Sequence, residues 1–177
     1  MRAKKVKGLD PAGPLADNAR RIVATRLKEL RSFDPHGDPV TLHNMRIAAK
    51  RLRYVCELTG PALGRAAATG AREAKEIQTL LGELHDCDVM LVLIAEHAER
   101  LRGEDSAAAL ALAPRAARDL PAATVRSLPN RLHYRGLETL GAYFQARRDL
   151  LHRRFVDKWE RLERNGFAER LLTGIEA

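Results

Sequence analysis

Apolar residues recur at helical spacing along most of the chain, and this pattern constrains the fold more than any other feature. Seven apolar residues near the end of the chain lie three, four or seven positions apart, which is the spacing of one face of an α-helix: Leu137, Leu140, Phe144, Leu151, Phe155, Trp159 and Leu162. Ala, Leu, Arg and Glu are abundant while aromatic residues make up only 5%, a composition that favours helices over strands. No segment shows the alternation typical of a strand. We therefore predict an all-α fold.

Turn signals divide this pattern into helices. The predicted spans are about 14–33, 42–59, 65–81, 86–101 and 131–165, with a short helix in the tail. Glycine and proline define most of the ends, namely a cluster with two prolines at 34–39, Gly60-Pro61, Gly103 and Asn165-Gly166. Thr41 and Asp86 are the predicted N-caps, and Gly82 is predicted to loosen the third helix. The expected architecture is an antiparallel four-helix-type bundle with long helices.

The predicted domain organisation has two parts. Residues 1–12 are predicted to be a flexible basic tail, and residues 13–177 a single helical domain. Within that domain residues 104–130 are rich in alanine and contain several prolines. We predict that they form a linker with at most a short helix.

The net charge points to a polyanionic partner. The chain carries 31 Lys and Arg against 23 Asp and Glu, a formal charge of +8, which fits nucleic acid, an anionic membrane face or a phosphate polymer. Two cysteines do not make a disulfide framework. No secretory signal is recognised, and the apolar run 89–95 is much shorter than the roughly 20 residues of a membrane span. We expect a soluble, cytoplasmic protein.

The second predicted helix carries two adjacent stripes. Its core side is formed by Leu42, Met45, Ala49, Leu52 and Cys56. The stripe beside it consists of His43, Arg46, Lys50, Arg53 and Tyr54, with Arg51 at its far edge. No acid lies between His43 and Cys56. The stripe therefore keeps like charges side by side, although such neighbours destabilise a helix by about 0.2–0.5 kcal/mol per pair. We interpret the stripe as a site for an anion, since Arg matches phosphate oxygens as a fork and Lys supplies a point charge; the alternative is a solvated basic face.

Two segments carry a family resemblance. Residues 42–58, which include His43, Arg46 and Lys50, resemble the signature helix of the CHAD domain, the conserved histidine α-helical domain. Residues 77–89 resemble that family's second signature, a Gln-x-x-Leu-Gly-x-x-His-Asp-x-Asp-Val pattern. The resemblance extends over about 14–102, whereas residues 131–165 match only as a generic helix of the bundle.

The resemblance implies a helical module that binds inorganic polyphosphate, needs no cofactor and has no catalytic activity of its own. It implies a groove lined by His43, Arg46, Lys50, Arg51, Arg53, Tyr54, Arg72, Lys75 and His85. It is also consistent with a cytoplasmic location and with association with polyphosphate granules.

One departure from the family concerns the number of units. The family usually carries two copies of this unit in tandem, whereas this chain resembles only the C-terminal copy. The nearest candidate for a second copy is Leu132-His133-Tyr134-Arg135, in which the Arg is one residue early and the Lys-Arg continuation is missing. We therefore predict that two chains pair as a homodimer; the alternative is a monomer with half a groove.

Two other functions fit parts of this sequence. A helical metal-dependent phosphohydrolase of the HD type would need metal ligands drawn from His43, His85-Asp86 and Asp149 or Asp119, but cations around His43 would repel a metal. In the plainer interpretation Asp86 caps a helix and Asp88 pairs with an Arg. Non-specific nucleic-acid binding is the other alternative. It is less favoured because the stripe offers Tyr54 alone for base stacking.

Overall fold

The computed structural model describes residues 2–115 and 118–176, and within these ranges the protein is all-helical, without a strand. The helices are α1 (Leu15–Leu30), α2 (Pro39–Leu112), α3 (Ala122–Arg126), α4 (Tyr134–Arg164) and α5 (Phe167–Glu176). The predicted all-α class is confirmed. The antiparallel four-helix arrangement stays a prediction.

The longest helix, α2, folds back on itself at Gly64. Gly64 has φ 65° and ψ −148° inside an otherwise helical stretch, a backbone conformation that is open almost only to glycine. In a straight helix residues 43 and 85 would be roughly 60 Å apart at 1.5 Å per residue, yet their imidazole rings lie 4.4 Å apart. The two halves of α2, before and after Gly64, therefore form an antiparallel helical hairpin.

The turn of this hairpin differs from the predicted one. We expected the second helix to end at Gly60-Pro61, but the helix continues through both residues to the break at Gly64. Proline in a helix clashes with the Cβ of the residue before it, and Gly60 has no Cβ. The proline also lies within the last turn before the break, where its missing N–H removes a hydrogen bond from a helix that is about to end.

The start of α2 is capped one turn earlier than predicted. Thr41 was the expected N-cap, but the helix begins at Pro39, and the backbone N–H of Thr41 donates to Oδ1 of Asp38 at 2.7 Å. Asp38 is therefore the capping residue and Pro39 occupies the first helical position, where a missing N–H costs nothing. Hydrogen bonds from Thr41 lower the pKa of Asp38.

The second half of α2 is longer than predicted. The expected loosening at Gly82, the N-cap at Asp86 and the end at Gly103 are all wrong, because the helix runs unbroken from Arg65 to Leu112. Part of the predicted 104–130 linker is thus helical, and α3 supplies one further short helix. The buried series Ile77, Leu81, Leu84 and Cys87 crosses the predicted boundary at helical spacing. This burial outweighs the cost of about 1 kcal/mol for a glycine inside a helix.

The chain forms two compact units. The first contains residues up to Asp86 and those from Asp149 onwards, and the second contains Cys87–Arg148. All five residues of the predicted core stripe on α2 are buried in the first unit. Phe155 and Trp159 of α4, predicted as packing residues, are buried there as well. Gly166, with φ 61°, ends α4 as predicted.

The second unit is tied together by polar contacts. Oδ1 of Asp105 accepts from the backbone N–H of Asn130 at 3.0 Å, and Oδ2 accepts from the hydroxyl of Tyr134 at 2.8 Å. Asp88 forms an ion pair with Arg148, which confirms the prediction that Asp88 pairs with an arginine. Cys56 and Cys87 are both buried, and neither forms a disulfide within the described residues.

The segment before α1 is held against that helix. The guanidinium of Arg26 donates to the carbonyl of Lys4 at 2.9 Å, and Nζ of Lys4 donates to Ser32 at 3.1 Å. No helix within residues 2–115 and 118–176 combines the length and the apolar character needed to cross a membrane.

Candidate anion-binding site

The hairpin of α2 brings the two sequence signatures face to face. His43 and His85 are in contact through their rings, with 4.4 Å between centroids and 51° between planes. One turn further along, a Cβ at Gly82 would lie 4.0 Å from Cδ of Arg46. These two contacts share one antiparallel register, which places Lys50 opposite Gln78 and Arg53 opposite Lys75. The basic stripe of the first half therefore runs along one face of the second half, the face that carries Lys75, Gln78, Gly82 and His85.

Arg46 is the most unusual cation of this stripe. Its Nε atom is buried without a hydrogen-bond partner, and it forms no ion pair with any described residue. A buried donor that lacks a partner costs about 1–3 kcal/mol, so such a group is expected to be satisfied by something that the isolated chain does not supply.

Lys50 and Tyr54 form the exposed part of the stripe. Lys50 is exposed and has no carboxylate partner in the described part of the chain; its ammonium group lies 5.7 Å from the centre of the Tyr54 ring. The guanidinium carbon of Arg53 lies 5.3 Å from the centre of the same ring, and its Nε pairs with Glu57 at 2.7 Å. Lys50 is thus available to an anion, whereas Arg53 is partly neutralised by its own helix.

The surroundings of His43 disfavour its protonated form. Burial lowers the pKa of His43, and the neighbouring His85 and Arg46 lower it further. Its Nδ1 atom is buried and has no hydrogen-bond partner among the described residues. An anion placed beside this ring would offset the repulsion and favour the protonated form.

Gln78 belongs to this stripe and is absent from the predicted ligand set. It lies one helical turn before Gly82 on the same face of α2, and its Oε1 atom is buried without a partner in the described residues. The residue stands in the second signature segment, so the sequence contained the signal. Because Gln is uncharged, an argument from net charge could not select it.

One family comparison matches this chain. The CHAD domain family matches residues 3–95, which is more than half of the 177-residue chain. The chain belongs to the CHAD family. This family is associated with polyphosphate binding. No curated protein and no solved structure is significantly similar to the chain.

Arg51 of this CHAD domain faces α1 instead of the stripe. Its guanidinium donates to Glu29 at 2.8 Å, and Glu29, only 1% exposed, is also paired with Arg26. A buried carboxylate needs such partners. The predicted ligand Arg51 therefore serves as one of the counter-charges of Glu29.

The other predicted ligands on the second half of α2 differ in position. Lys75 is exposed and has no ion-pair partner among the described residues, and the hairpin register sets it opposite Arg53. Arg72 lies off the stripe: its side chain is 65% exposed and its nearest carboxylate is Glu73, at 3.6 Å. The structure thus brings His43, Arg46, Lys50 and His85 together and leaves Arg72 apart.

The residues considered for a metal site do not form one. No group of three or more His, Cys, Asp or Glu side chains within the described ranges is placed to hold a metal ion. His43 and His85 touch, but Asp86 is exposed inside the continuous helix. The HD-type alternative therefore finds no ligand cluster in this part of the chain.

Proposed function

We propose that this CHAD domain binds inorganic polyphosphate along a stripe formed by His43, Arg46 and Lys50 on the first half of α2 and by His85, Gln78 and Lys75 on the second half. The observation that carries the proposal is the Nε of Arg46, which is buried and has no hydrogen-bond partner in the described part of the chain. A bridging or terminal phosphate oxygen can accept a hydrogen bond from this donor, while the other guanidinium nitrogens donate to the same anion. In the free protein the buried donor lacks an acceptor among the described residues, which costs free energy. Binding would remove this cost and add a charge-assisted hydrogen bond.

The charges around this stripe favour an anion over an internal partner. Arg26, Arg51, Arg53 and Lys158 each pair with a carboxylate, so the chain does supply acids to cations elsewhere. His43, Arg46 and Lys50 have none within the described residues. A linear polyanion lying along the hairpin would neutralise these groups together and release its own counterions.

The alternative polyanion is nucleic acid. Its phosphates could bind the same cations, but sequence-tolerant binding of single strands also uses aromatic side chains as stacking platforms. Tyr54, which is 44% exposed, is the aromatic residue that the stripe offers, and its ring already contacts the cationic groups of Lys50 and Arg53. This arrangement favours polyphosphate.

A competition assay tests the proposal. Fluorescent long-chain polyphosphate is displaced by unlabelled polyphosphate, single-stranded RNA and duplex DNA, all at equal charge and fixed salt. We expect polyphosphate to compete best and binding to weaken steeply as salt rises. Equal displacement by RNA, or an affinity that does not change with salt, would contradict the proposal.

We further propose that the domain binds its ligand without transforming it. The stripe presents donors and cations, and the described residues contain no metal cluster that could activate water. The test is a phosphate-release assay on polyphosphate with Mg²⁺, Mn²⁺ or Zn²⁺ added. Steady phosphate release that Arg46→Met abolishes would instead establish a hydrolase at this stripe. Granule association in the cytoplasm is the matching cellular proposal, to be tested by imaging a tagged chain.

The homodimer remains part of the proposal, supported by an exposed apolar segment of the second unit. Val89, Val92 and Leu93 are 43%, 56% and 50% exposed, on a stretch of α2 that is apolar around its whole circumference. A helix of that kind is normally covered. Sedimentation should show a dimer that Val92→Glu with Leu93→Glu dissociates, whereas Leu58→Glu, at a residue 81% exposed in the first unit, should not. A monomer at all concentrations would end this part of the proposal.

A further inference from the structure

A second candidate binding site lies at the turn of the α2 hairpin, and it is separate from the His43–His85 stripe. A cleft of about 680 Å³ opens between the Gly64 turn, the start of the second half of α2, and α5. Its volume is within the range of small-molecule sites, about 300–1,000 Å³. None of the residues proposed for polyphosphate lines it.

The floor of the cleft is apolar. It is formed by Leu63, Phe167, Leu171 and Ile175, all of them at most 6% exposed. Two glycines allow α5 to approach α2 closely at one side of the cleft. A Cβ at Gly174 would lie 2.7 Å from that of Ala66, and a Cβ at Gly70 would lie 2.9 Å from Leu171. The surface behind the cleft is therefore closely packed.

The rim of the cleft is basic. Arg65 and Arg170 line it, both are exposed, and neither guanidinium group has a hydrogen-bond or ion-pair partner in the described part of the chain. Arg20 also lines the cleft and is held by Asp17 at 2.8 Å and by the carbonyl of Ile175 at 2.6 Å. The one acid of the lining, Glu73, is already paired with Lys158 at 2.7 Å. The charge left for a ligand is positive.

An apolar floor under unpaired guanidinium groups selects an amphipathic anion. We infer that this cleft binds an organic phosphate monoester, with its apolar body on Leu63, Phe167 and Leu171 and its phosphate between Arg65 and Arg170. Two forks match a dianionic phosphate better than a single carboxylate oxygen pair. Inorganic polyphosphate has no apolar body to place on this floor, so the site does not depend on the proposed function.

The test uses three probes that separate the two parts of the ligand. Binding of 1-naphthyl phosphate, of 1-naphthol and of inorganic phosphate is measured by calorimetry and by amide chemical shifts on the full chain. We expect saturable 1:1 binding of naphthyl phosphate, with shifts at Gly64, Arg65 and Gly174, and much weaker binding of the other two. If naphthol bound as tightly as naphthyl phosphate, the cleft would be an apolar cavity only. If inorganic phosphate bound as tightly, the site would be a basic surface only. Either result overturns the inference, as does the absence of saturable binding.

Variants locate the site. Arg65→Gln with Arg170→Gln should weaken naphthyl phosphate by about tenfold or more, because two charge-assisted contacts are lost. The control is Arg153→Gln with Arg154→Gln, which removes the same charge from two other exposed residues and should leave binding unchanged. Ala62→Trp places a large ring in the cleft from an exposed lining position and should abolish binding without unfolding the chain. All of these variants should retain polyphosphate binding. Retained naphthyl phosphate binding in Ala62→Trp, or equal loss in the control pair, would refute the assignment.

Discussion

The side chain of Arg46 crosses the helical hairpin over Gly82. A Cβ at position 82 would lie 4.0 Å from Cδ of Arg46, an ordinary van der Waals distance, and would meet no closer atom. An alanine would therefore fit beside the arginine stem, while a longer side chain would occupy the space through which the stem passes. The glycine of the second signature thus leaves room for a cation of the first.

This relationship predicts a difference between two substitutions at one position. Gly82→Leu should displace Arg46 and lower polyphosphate affinity by about tenfold, the loss expected for one charge-assisted hydrogen bond. Gly82→Ala should retain the affinity and should stabilise the helix by about 0.5–1 kcal/mol. Affinity is measured by fluorescence anisotropy and stability by urea unfolding. Equal affinities for both variants would show that the Arg46 stem does not depend on this space.

Arg46 itself is predicted to favour binding at the expense of stability. Arg46→Met keeps the apolar stem and removes the buried donor without a partner. We expect the free energy of unfolding to rise by about 1 kcal/mol, while polyphosphate affinity falls by about tenfold or more. Thermal unfolding and anisotropy on the same sample provide the two readouts. A variant that is both less stable and unchanged in affinity would show that Arg46 has a structural role.

Arg51 is predicted to behave in the opposite way and serves as the matched comparison. Arg51→Met removes a partner of the buried Glu29, which should lower the free energy of unfolding by about 1–3 kcal/mol. Polyphosphate affinity should change little once measured at a temperature where the variant is folded. A large loss of affinity in the folded variant would place Arg51 among the ligands after all.

The pH dependence of stability follows from His43. Its pKa in the folded protein is lowered by burial and by the nearby His85 and Arg46, so the unfolded chain, with an ordinary pKa of about 6.5, binds the proton more readily. The contribution of His43 to the free energy of unfolding is therefore fully present above about pH 6.5 and is lost as the pH falls through the lowered pKa. Bound polyphosphate should reduce this loss, since it favours the protonated ring.

Melting temperatures recorded between about pH 5 and pH 8, with and without polyphosphate, test this expectation. The stabilisation by the ligand should grow as the pH falls, and calorimetry should show proton uptake on binding. His43→Gln is the control, in which both effects should shrink. Binding with no proton uptake would remove His43 from the polyphosphate contacts.

The turn of the hairpin gives a prediction about stability alone. Gly64→Ala should cost about 1–3 kcal/mol, because φ 65° with ψ −148° is strained for any residue with a Cβ. Gly103→Ala, at a helical position where a Cβ meets nothing within 4 Å, should instead stabilise by about 0.5–1 kcal/mol. Urea unfolding measures both. If both substitutions stabilise the chain, the reversal does not occur at Gly64.

The course of the backbone between the two signatures shows where local reasoning fails. Gly60-Pro61 is the stronger local stop signal, yet the chain turns at Gly64, because the reversal needs a positive φ and Gly60 serves only to relieve the clash with the proline ring. Asp86 and Gly103 likewise resembled boundaries. Leu84 and Cys87 are buried on either side of Asp86, and Leu101 and Ala109 on either side of Gly103, and this burial keeps the helix continuous past both.

The amino-acid sequence by itself determined the helical class, the core stripe from Leu42 to Cys56 and the two signature segments, because helical periodicity and motif spacing are local properties of the chain. Only the tertiary structure decided which cations face a ligand. Arg46 and Arg51 look alike in the sequence, but the hairpin turned at Gly64 buries Nε of Arg46 away from any hydrogen-bond partner among residues 2–115 and 118–176, while α1 supplies Glu29 to Arg51. Which cation is neutralised depends on packing between segments that are distant in the sequence, and local sequence patterns do not predict such contacts.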